Sequence, residues 1–441
     1  MLESESRYKA ILIGLCGPGQ KKNEVEEHLD ELALLVDSMS SGGAEGIGAF
    51  EVAHREVVRI DAPQSVYLIG SGKAQEIADL ATGLDAECIV FDDDLSPAQQ
   101  RNWERLTDAA VIDRREVILD IFAERARSRP AVTQIELARL EYSLPRLKRA
   151  WTHLSRQKGG ARGTRGEGET QLEVDRRIAL RRISRLKAEL KRLETQRSTM
   201  RKRRESRSVP VGAIVGYTNA GKSSLLNALT GSEVFVENRL FATLDPTSRS
   251  VALPGGETVV LTDTVGFVRK LPHDLVEAFK STLEEGLYAD FLIHVVDAAG
   301  PDAAEHVRAT EAVLSELGAL DKPTIRVLNK IDKPAVAELA PTGAPAVGAS
   351  GVGAVAFGDE WLRVSAHTGD GLDRLLEAIG VIIHDASPVH TFRFPHGRSD
   401  LAALVHRTGR VLAESYDAEG IHMEAHVHPD TERRLAEFCL T

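Results

Sequence analysis

Apolar residues in the first third of the chain recur in short runs separated by amphipathic stretches. The short runs predict strands, and they cover residues 8–15, 65–69, 87–92 and 109–113. The amphipathic stretches, at residues 23–39 and 74–82, predict helices. Strands that alternate with helices are typical of a layered α/β domain with a mostly parallel sheet. We therefore expect an N-terminal α/β domain over residues 1–130.

A longer helical period follows, on both sides of a glycine-rich segment. The positions of this period are spaced alternately three and four apart, and the apolar ones are Leu137, Leu140, Leu144, Leu147, Trp151 and Leu154, then Leu172, Ala179, Ile183, Leu186, Leu190, Leu193 and Met200. Arg176 and Arg197 occupy the two remaining positions of the second helix. This is the 3.5-residue period of a coiled coil. Two such helices joined by a polar segment predict an antiparallel helical hairpin over residues 131–208, with a local kink at Pro145.

The charge of the chain is unevenly distributed. The 441 residues carry a net charge of −11, which by itself argues against a simple nucleic-acid binder. Residues 146–208, however, contain 21 basic and 7 acidic residues, a net +14, which leaves −25 for the rest. A basic block can be no more than a solvated helix face, but it also suits an anionic partner.

The segment that joins the two predicted helices favours the second interpretation. Residues 158–170 contain five glycines, interleaved with Lys158, Arg162 and Arg165. A turn that only connects two helices needs a few residues, and this segment of thirteen is longer than that. We expect a mobile cationic tip that contacts RNA.

Cysteine content and apolar runs exclude other classes of protein. Cys16, Cys88 and Cys439 lie far apart and form no CxxC pair, so neither a disulfide framework nor a thiolate zinc site is expected. The chain has no apolar run long enough to cross a membrane, and its polar, acidic first residues do not resemble a signal peptide. We expect a cytoplasmic protein that does not insert into membranes.

A phosphate-binding motif lies in a third predicted domain, residues 209–386. A short apolar strand at 211–216 leads into G-x-x-x-x-G-K-S and then a helix at 224–229. In this context the backbone N–H groups and the helix N-terminus bind phosphate. The predicted nucleotide-binding residues are Gly216, Tyr217, Thr218, Asn219, Ala220, Gly221, Lys222, Ser223 and Ser224. We expect Lys222 to reach the β- and γ-phosphates and Ser223 to ligate Mg²⁺.

Three further motifs indicate which base the site reads. Each follows a predicted strand, and together they are Asp263-Thr264-Val265-Gly266, then Asn329-Lys330-Ile331-Asp332, then Ser365-Ala366-His367. Asp263 would lie near the magnesium shell, and Gly266 could offer its N–H to a γ-phosphate. The Asp332 carboxylate accepts hydrogen bonds from guanine N1–H and N2–H₂, whereas adenine has no donor at either position. The order of motifs predicts a P-loop domain with a mostly parallel sheet that binds GTP and GDP.

The domain also needs a mobile threonine that senses the γ-phosphate and completes the Mg²⁺ shell. Thr243 is the favoured candidate, and Thr247 is the alternative. Phe241 and Ala242, which precede Thr243, are also predicted to bind the nucleotide. The predicted catalytic residues are therefore Lys222, Thr243 and Gly266, and the predicted metal ligands are Ser223 and Thr243.

These motifs resemble those of a known family. Residues 241–247 and 263–268 are similar to segments of the HflX family, within the translation-factor-related Obg and HflX group of GTPases, and residues 165–173 are similar to its R-G-P-G-E-T-Q-L-E signature, with Glu167 in place of the proline. The resemblance covers roughly residues 8–383 and implies a GTPase that binds the large ribosomal subunit. It also implies that the protein separates stalled or idle ribosomes into subunits under heat or antibiotic stress.

Two residues bear on hydrolysis. Phe267 occupies the position of the glutamine that orients the attacking water in Ras-like proteins, so intrinsic hydrolysis should be slow and the ribosome is expected to supply the missing group. Asn219 suits coordination of a K⁺ ion, as in related GTPases, but it equally suits a left-handed position in a tight loop.

The sequence leaves two alternative functions open. One alternative function is a GTPase of ribosome assembly or RNA modification, as in Obg- or Era-like proteins. Another is an RNA-binding module in which nucleotide binding is vestigial. For the ribosome-binding GTPase that the motifs favour, we expect a monomer.

The remaining segments carry weaker signals. Asp92, Asp93 and Asp94 suit the entry to a helix better than a metal site. Residues 334–358 indicate an insertion with no assigned role. Residues 387–441 predict a small α/β appendage that ends in a helix near 431–440, and His422, His426 and His428 lack the framing acids or cysteines of a metal site.

Overall fold

The structure is a computed structural model that describes residues 8–40, 50–146, 165–205, 209–231, 240–241, 245–254, 257–270, 288–300, 302–333, 361–385, 389–427 and 429–440. The chain divides into two compact units. The first comprises residues 1–193 with 239–241 and 271–278, and the second comprises residues 194–238, 242–270 and 279–441.

The first unit is built on a four-stranded parallel sheet of order β2-β1-β3-β4. Its strands are β1 (Tyr8–Cys16), β2 (Phe50–Arg59), β3 (Cys88–Phe91) and β4 (Ala110–Asp113). The alternating helices are α1 (Lys22–Ser40), α2 (Ser71–Leu84), α3 (Pro97–Thr107) and α4 (Arg114–Arg125). One core cluster contains Ile13, Phe91 and the fully buried Trp103, whose Nε1 donates to the Tyr67 carbonyl at 2.9 Å. The predicted α/β sheet is confirmed.

One predicted strand of this sheet is wrong. Residues 65–69 form a turn with isolated bridges, in which Leu68 has a positive φ of 68°, and the strand beside β1 is β2 instead. β2 lies at the sheet edge, and over its first seven residues exposed positions alternate with partly buried ones. An edge strand needs little apolar surface, so its sequence gave no hydrophobic run to detect.

Two long helical segments correspond to the predicted hairpin. Helix α5 (Arg129–Ser143) gives way to a 3₁₀ turn at Leu144–Arg146, which contains Pro145, and α6 spans Arg165–Glu205. Leu147, Trp151, Leu154 and the rest of residues 147–164 lie outside the described residues. The last six residues of the glycine-rich join, 165–170, are helical and not part of a loop.

The two helices pack through the predicted apolar positions. Leu137, Ile183 and Leu186 are buried together, with partly buried Leu140, Leu144 and Leu190 around them. Ion pairs flank this cluster: Arg129 contacts Glu189 at 2.7 Å, and Arg182 contacts Glu136 at 2.7 Å. A third ion pair, Lys187 with Glu141 at 2.8 Å, joins the same two helices.

The second unit contains a six-stranded sheet of order β10-β9-β8-β5-β7-β6, parallel except for the pairing of β6 with β7. Its strands are β5 (Val211–Gly216), β6 (Thr247–Ala252), β7 (Thr258–Asp263), β8 (Phe291–Asp297), β9 (Thr324–Asn329) and β10 (Leu362–Arg363). The packed helices are α7 (Lys222–Thr230), α8 (Ala303–Glu316) and α9 (Leu372–Asp385). Four of these strands carry the predicted motifs at their carboxyl ends, as the sequence suggested, whereas β6 and β8 were not predicted.

The chain closes with a three-stranded antiparallel sheet of order β11-β13-β12. Its elements are β11 (Val389–Phe394), α10 (Ser399–Thr408), β12 (Gly409–Tyr416), β13 (Ile421–Val427) and α11 (Pro429–Leu435). The final predicted helix is too long: α11 ends at Leu435, and the amide of Leu440 donates to the Thr391 carbonyl at 2.7 Å, so the last residues line the sheet edge.

The described residues contain no cluster of three or more side chains suited to a metal ion, and within them no helix is long and apolar enough to cross a membrane. His422 and His426 share one face of β13, and His428 lies outside the described residues. Asp92 pairs with Arg114 at 2.6 Å, just before the Ser96 cap of α3.

Candidate nucleotide-binding site

The backbone of the P-loop depends on two glycines at its ends. Gly216 ends β5 with φ of 149°, and a Cβ there would collide with the Val295 carbonyl oxygen of β8. Gly221 caps α7 with φ of 90°, and a Cβ there would collide with the Asn329 side chain. Asn219 between them is left-handed, with φ of 59°. That conformation fits the structural alternative for Asn219, and K⁺ binding stays a prediction.

Lys222 is folded over this loop. Its side chain is buried, and Nζ donates to the carbonyl oxygens of Gly216 at 3.1 Å and Tyr217 at 2.9 Å. Burial lowers the pKa of Lys222 to about 8, and the nearby Asp263 carboxylate opposes that shift. The ammonium therefore lies at the head of the loop with its hydrogen bonds directed to the backbone.

Ser223 and Asp263 bring two oxygens together. Ser223 Oγ donates to Asp263 Oδ2 at 2.5 Å, and Asp263 is the last residue of β7. Thr264 is buried, with Oγ1 donating to the Ile214 carbonyl at 2.7 Å, which ties the end of β7 to β5. A hydroxyl and a carboxylate are the hard oxygen ligands that Mg²⁺ prefers, so this pair fits that ion.

The segment after Asp263 lies against the P-loop. A Cβ on Gly266 would be 2.7 Å from Thr218 Cγ2 and 2.9 Å from Lys222 Nζ, so only glycine fits here without displacement. Val265 is buried, and Phe267 is 1% exposed. The Phe267 side chain therefore packs in the core, and slow intrinsic hydrolysis stays a prediction.

The guanine motifs join one another and the P-loop through hydrogen bonds. Asn329 Nδ2 donates to the Ala220 carbonyl at 2.9 Å, and its Oδ1 accepts from the Ala366 amide at 3.1 Å. Ser365 Oγ donates to Asp332 Oδ1 at 2.6 Å, and this bond is the main cause that holds the pKa of Asp332 below its usual value. The carboxylate that is predicted to read guanine therefore stays ionised.

Lys330 also joins the guanine motifs to the P-loop. Its Nζ donates to the Asn219 carbonyl at 2.6 Å and to Asp297 Oδ2 at 2.7 Å. The amide of His367 donates to Ser365 Oγ at 3.2 Å and shapes the last loop. The sequence analysis did not predict a role for Asp297. Asp297 ends an apolar strand, as Asp263 does, and that position could have indicated that it belongs to the site.

The predicted switch segment is only partly described. Ala242 and Thr243 lie outside the described residues. Phe241 belongs to the first unit, where its ring meets Phe122 edge-on at 4.6 Å and its carbonyl accepts from Arg125 at 3.0 Å. Thr247 begins β6, directly opposite Asp263 in the ladder. Ser224 follows Ser223 in the first turn of α7.

Comparisons with known proteins identify the family. Three family models match: "GTP-binding GTPase N-terminal" over residues 26–123, "GTP-binding GTPase Middle Region" over 125–204, and "50S ribosome-binding GTPase" over 211–330. A protein named GTPase HflX from Akkermansia muciniphila is 48% identical over 424 residues, which cover 95% of this chain and 93% of that protein. The chain belongs to the HflX family of GTPases.

Other relatives agree. A GTPase HflX from Escherichia coli is 41% identical over 400 residues, covering 90% of this chain and 89% of that protein. Among solved structures, a GTP-binding protein from Sulfolobus solfataricus in complex with GDP is 25% identical, with a TM-score of 0.42, and covers 86% of this chain and all of that one. The family models and the two GTPase HflX relatives confirm the resemblance seen in the sequence. This member of the HflX family is a GTPase whose P-loop domain matches the family model of a ribosome-binding GTPase.

Proposed function

We propose that this GTPase binds the large ribosomal subunit through its basic helical hairpin and separates stalled or idle ribosomes into subunits under stress. The observation that carries the proposal is the charge on α6, where several basic side chains are exposed to solvent: Arg176, Arg177, Arg181, Arg185 and Arg192. Basic side chains on a rigid helix suit contact with the phosphates of ribosomal RNA, which gives strongly salt-dependent binding.

We propose four domains, namely residues 1–130, the hairpin at 131–208, the GTPase domain at 209–386 and the appendage at 387–441, and assign specific tasks to the hairpin and the GTPase domain. The hairpin and its tip, residues 158–170, would contact RNA. The negative charge of the remaining chain would weaken binding to RNA in other orientations, since like charges repel phosphate. The GTPase domain would set the affinity for the ribosome according to the nucleotide that it holds.

Within the GTPase domain we propose the roles predicted from the sequence. Lys222 and Gly266 would donate hydrogen bonds to the γ-phosphate, and Thr243 would close over it, so that loss of the γ-phosphate releases both segments. Ser223 and Thr243 would hold Mg²⁺, which when bound neutralises phosphate charge. Because Phe267 is buried and carries no polar group, hydrolysis would need a group supplied by the ribosome. Asn219 would ligate K⁺.

The experiment that tests the proposal compares two double variants in co-sedimentation with large subunits. Arg176→Gln with Arg181→Gln removes two charges from α6, and Arg407→Gln with Arg433→Gln removes two exposed charges from the C-terminal part. If each α6 arginine contacts a phosphate, the slope of log affinity against log salt falls by about one per residue. The variant with Arg407→Gln and Arg433→Gln should bind large subunits with the salt dependence of the parent. The rate of GTP turnover without ribosomes should be unchanged in both variants. Equal loss in both variants would contradict the proposal.

A second experiment separates ribosome splitting from the assembly alternative. Replacing residues 159–168 by a short neutral linker should abolish conversion of 70S ribosomes to subunits, measured on sucrose gradients. Normal splitting by this variant, or accumulation of immature subunits in cells that carry it, would favour the assembly role. We further propose a cytoplasmic monomer, which light scattering and cell fractionation would test.

A further inference from the structure

Three hydrogen bonds join residues 267–269 to the P-loop. The Phe267 amide donates to the Gly216 carbonyl at 3.1 Å, and the Thr218 amide donates to the Phe267 carbonyl at 2.7 Å. The third bond differs in kind, because the Arg269 amide donates to the side-chain hydroxyl of Tyr217 at 2.7 Å. The Tyr217 hydroxyl thus adds a third hydrogen bond to the two backbone bonds of Phe267, and it holds Arg269 at the end of residues 267–269.

The tyrosine is itself held in place. Its side chain is buried, and its ring stacks on His306 with centroids 3.8 Å apart and planes 13° from parallel. His306 lies in the first turn of α8. The Arg269 guanidinium meets Glu305 at 3.0 Å and Asp302 at 3.8 Å, at the start of the same helix. Donor and acceptor of the third bond are therefore both fixed to α8.

The ladder fixes the location of Gly266, the residue just before it. The hypothetical Cβ contacts place Gly266 against Thr218 and within reach of Lys222 Nζ. In P-loop GTPases this lysine contacts the β- and γ-phosphates. A displacement of the segment by an ångström would move the Gly266 amide away from the phosphate that distinguishes GTP from GDP.

We propose that Tyr217 is a positioning residue for the γ-phosphate. Its hydroxyl accepts the Arg269 N–H and so keeps Gly266 beside Lys222, which raises the affinity for GTP relative to GDP. A tyrosine that served only to fill the core would need its ring and not its hydroxyl. The inference depends on the GTPase activity of the family and is independent of the proposed action on ribosomes.

The test removes the acceptor and keeps the ring. Tyr217→Phe should weaken binding of a non-hydrolysable GTP analogue about three- to tenfold, the contribution of one hydrogen bond, and should lower kcat by a similar factor. GDP affinity should stay within about twofold, since GDP lacks the group that Gly266 contacts. The matched control is Tyr416→Phe, which removes an exposed hydroxyl bonded to Glu414 at 2.5 Å and should change neither affinity.

A second pair of variants tests the stack. His306→Ala should reproduce the loss of selectivity for the GTP analogue, and His306→Phe, which retains a flat ring, should restore it. Melting temperatures recorded for every variant separate a folding defect from a change in selectivity. The proposal is overturned if Tyr217→Phe binds both nucleotides as the parent does, or if it loses affinity for GDP and the GTP analogue by the same factor.

Discussion

The hydroxyl of Ser223 lies 2.5 Å from Asp263 Oδ2, although the two residues are 40 positions apart in the chain. The start of α7 supplies the serine, and the end of β7 supplies the aspartate. The neighbouring parallel strands β5 and β7 thus bring these two oxygens together. We therefore expect the contribution of Mg²⁺ to nucleotide binding to depend on Ser223.

Ser223→Ala should remove the benefit that Mg²⁺ gives to GDP binding. Ser223 is a predicted Mg²⁺ ligand, and its loss leaves only the nearby carboxylate of Asp263 at this point of the site, so we expect affinity in Mg²⁺ to fall about 10- to 100-fold and affinity in EDTA to change little. Fluorescent GDP titrations with and without Mg²⁺ provide the measurement. Ser250→Ala, on the exposed face of β6, is the control. Equal losses in both conditions would count against the assignment.

Asp332→Asn should change the base that the protein prefers. The carboxylate is predicted to accept from two guanine donors, and each charged hydrogen bond would contribute about 1.5–3 kcal/mol, so GDP affinity should fall at least about 100-fold. An asparagine can donate to the 2-carbonyl of xanthine, and XDP should therefore bind better than GDP. Competition assays with GDP and XDP would decide. Asp373→Asn, an exposed position in α9, should keep the parent preference.

Nucleotide binding should weaken as the pH rises through about 8, the pKa of the buried Lys222. Below that pH the ammonium is already charged, whereas above it the free protein must take up a proton to pair with phosphate. Affinity should then fall by at most about tenfold per pH unit. Calorimetry in buffers of different ionisation enthalpy would show proton uptake near zero at about pH 7 and approaching one near pH 9. Lys222→Arg, which stays charged throughout, should show no uptake.

Arg114 stabilises the first unit through two buried carboxylates. It is 2% exposed and pairs with Asp92 at 2.6 Å and with Glu31. Arg114→Met would leave both acids buried without their cation, so the free energy of unfolding should fall by about 3–5 kcal/mol. The exposed pair of Arg55 with Asp30 offers a control, because Arg55→Met should cost less than about 1 kcal/mol. Similar losses in urea denaturation of the two variants would refute the claim.

Local patterns account for much of the site and for less of the fold. The P-loop and the guanine motifs could be placed because each depends on a few consecutive residues at a strand end. The sequence did not predict β2, because an edge strand needs little apolar surface. Residues 65–69 were predicted as a strand instead, because they are more apolar. The stack of Tyr217 on His306 could not be found from either segment, because the tertiary fold and not the local sequence brings them together.

The bond between Asn329 and Ala220 has a consequence for the time at which the site forms. The two residues are separated by 109 positions, so a growing chain that has just produced the P-loop still lacks the side chain that holds it. At cellular rates of synthesis this interval is roughly 5 to 20 seconds. A nascent chain of this GTPase, while still attached to the ribosome that makes it, should therefore hold nucleotide poorly until β9 has emerged and joined the sheet.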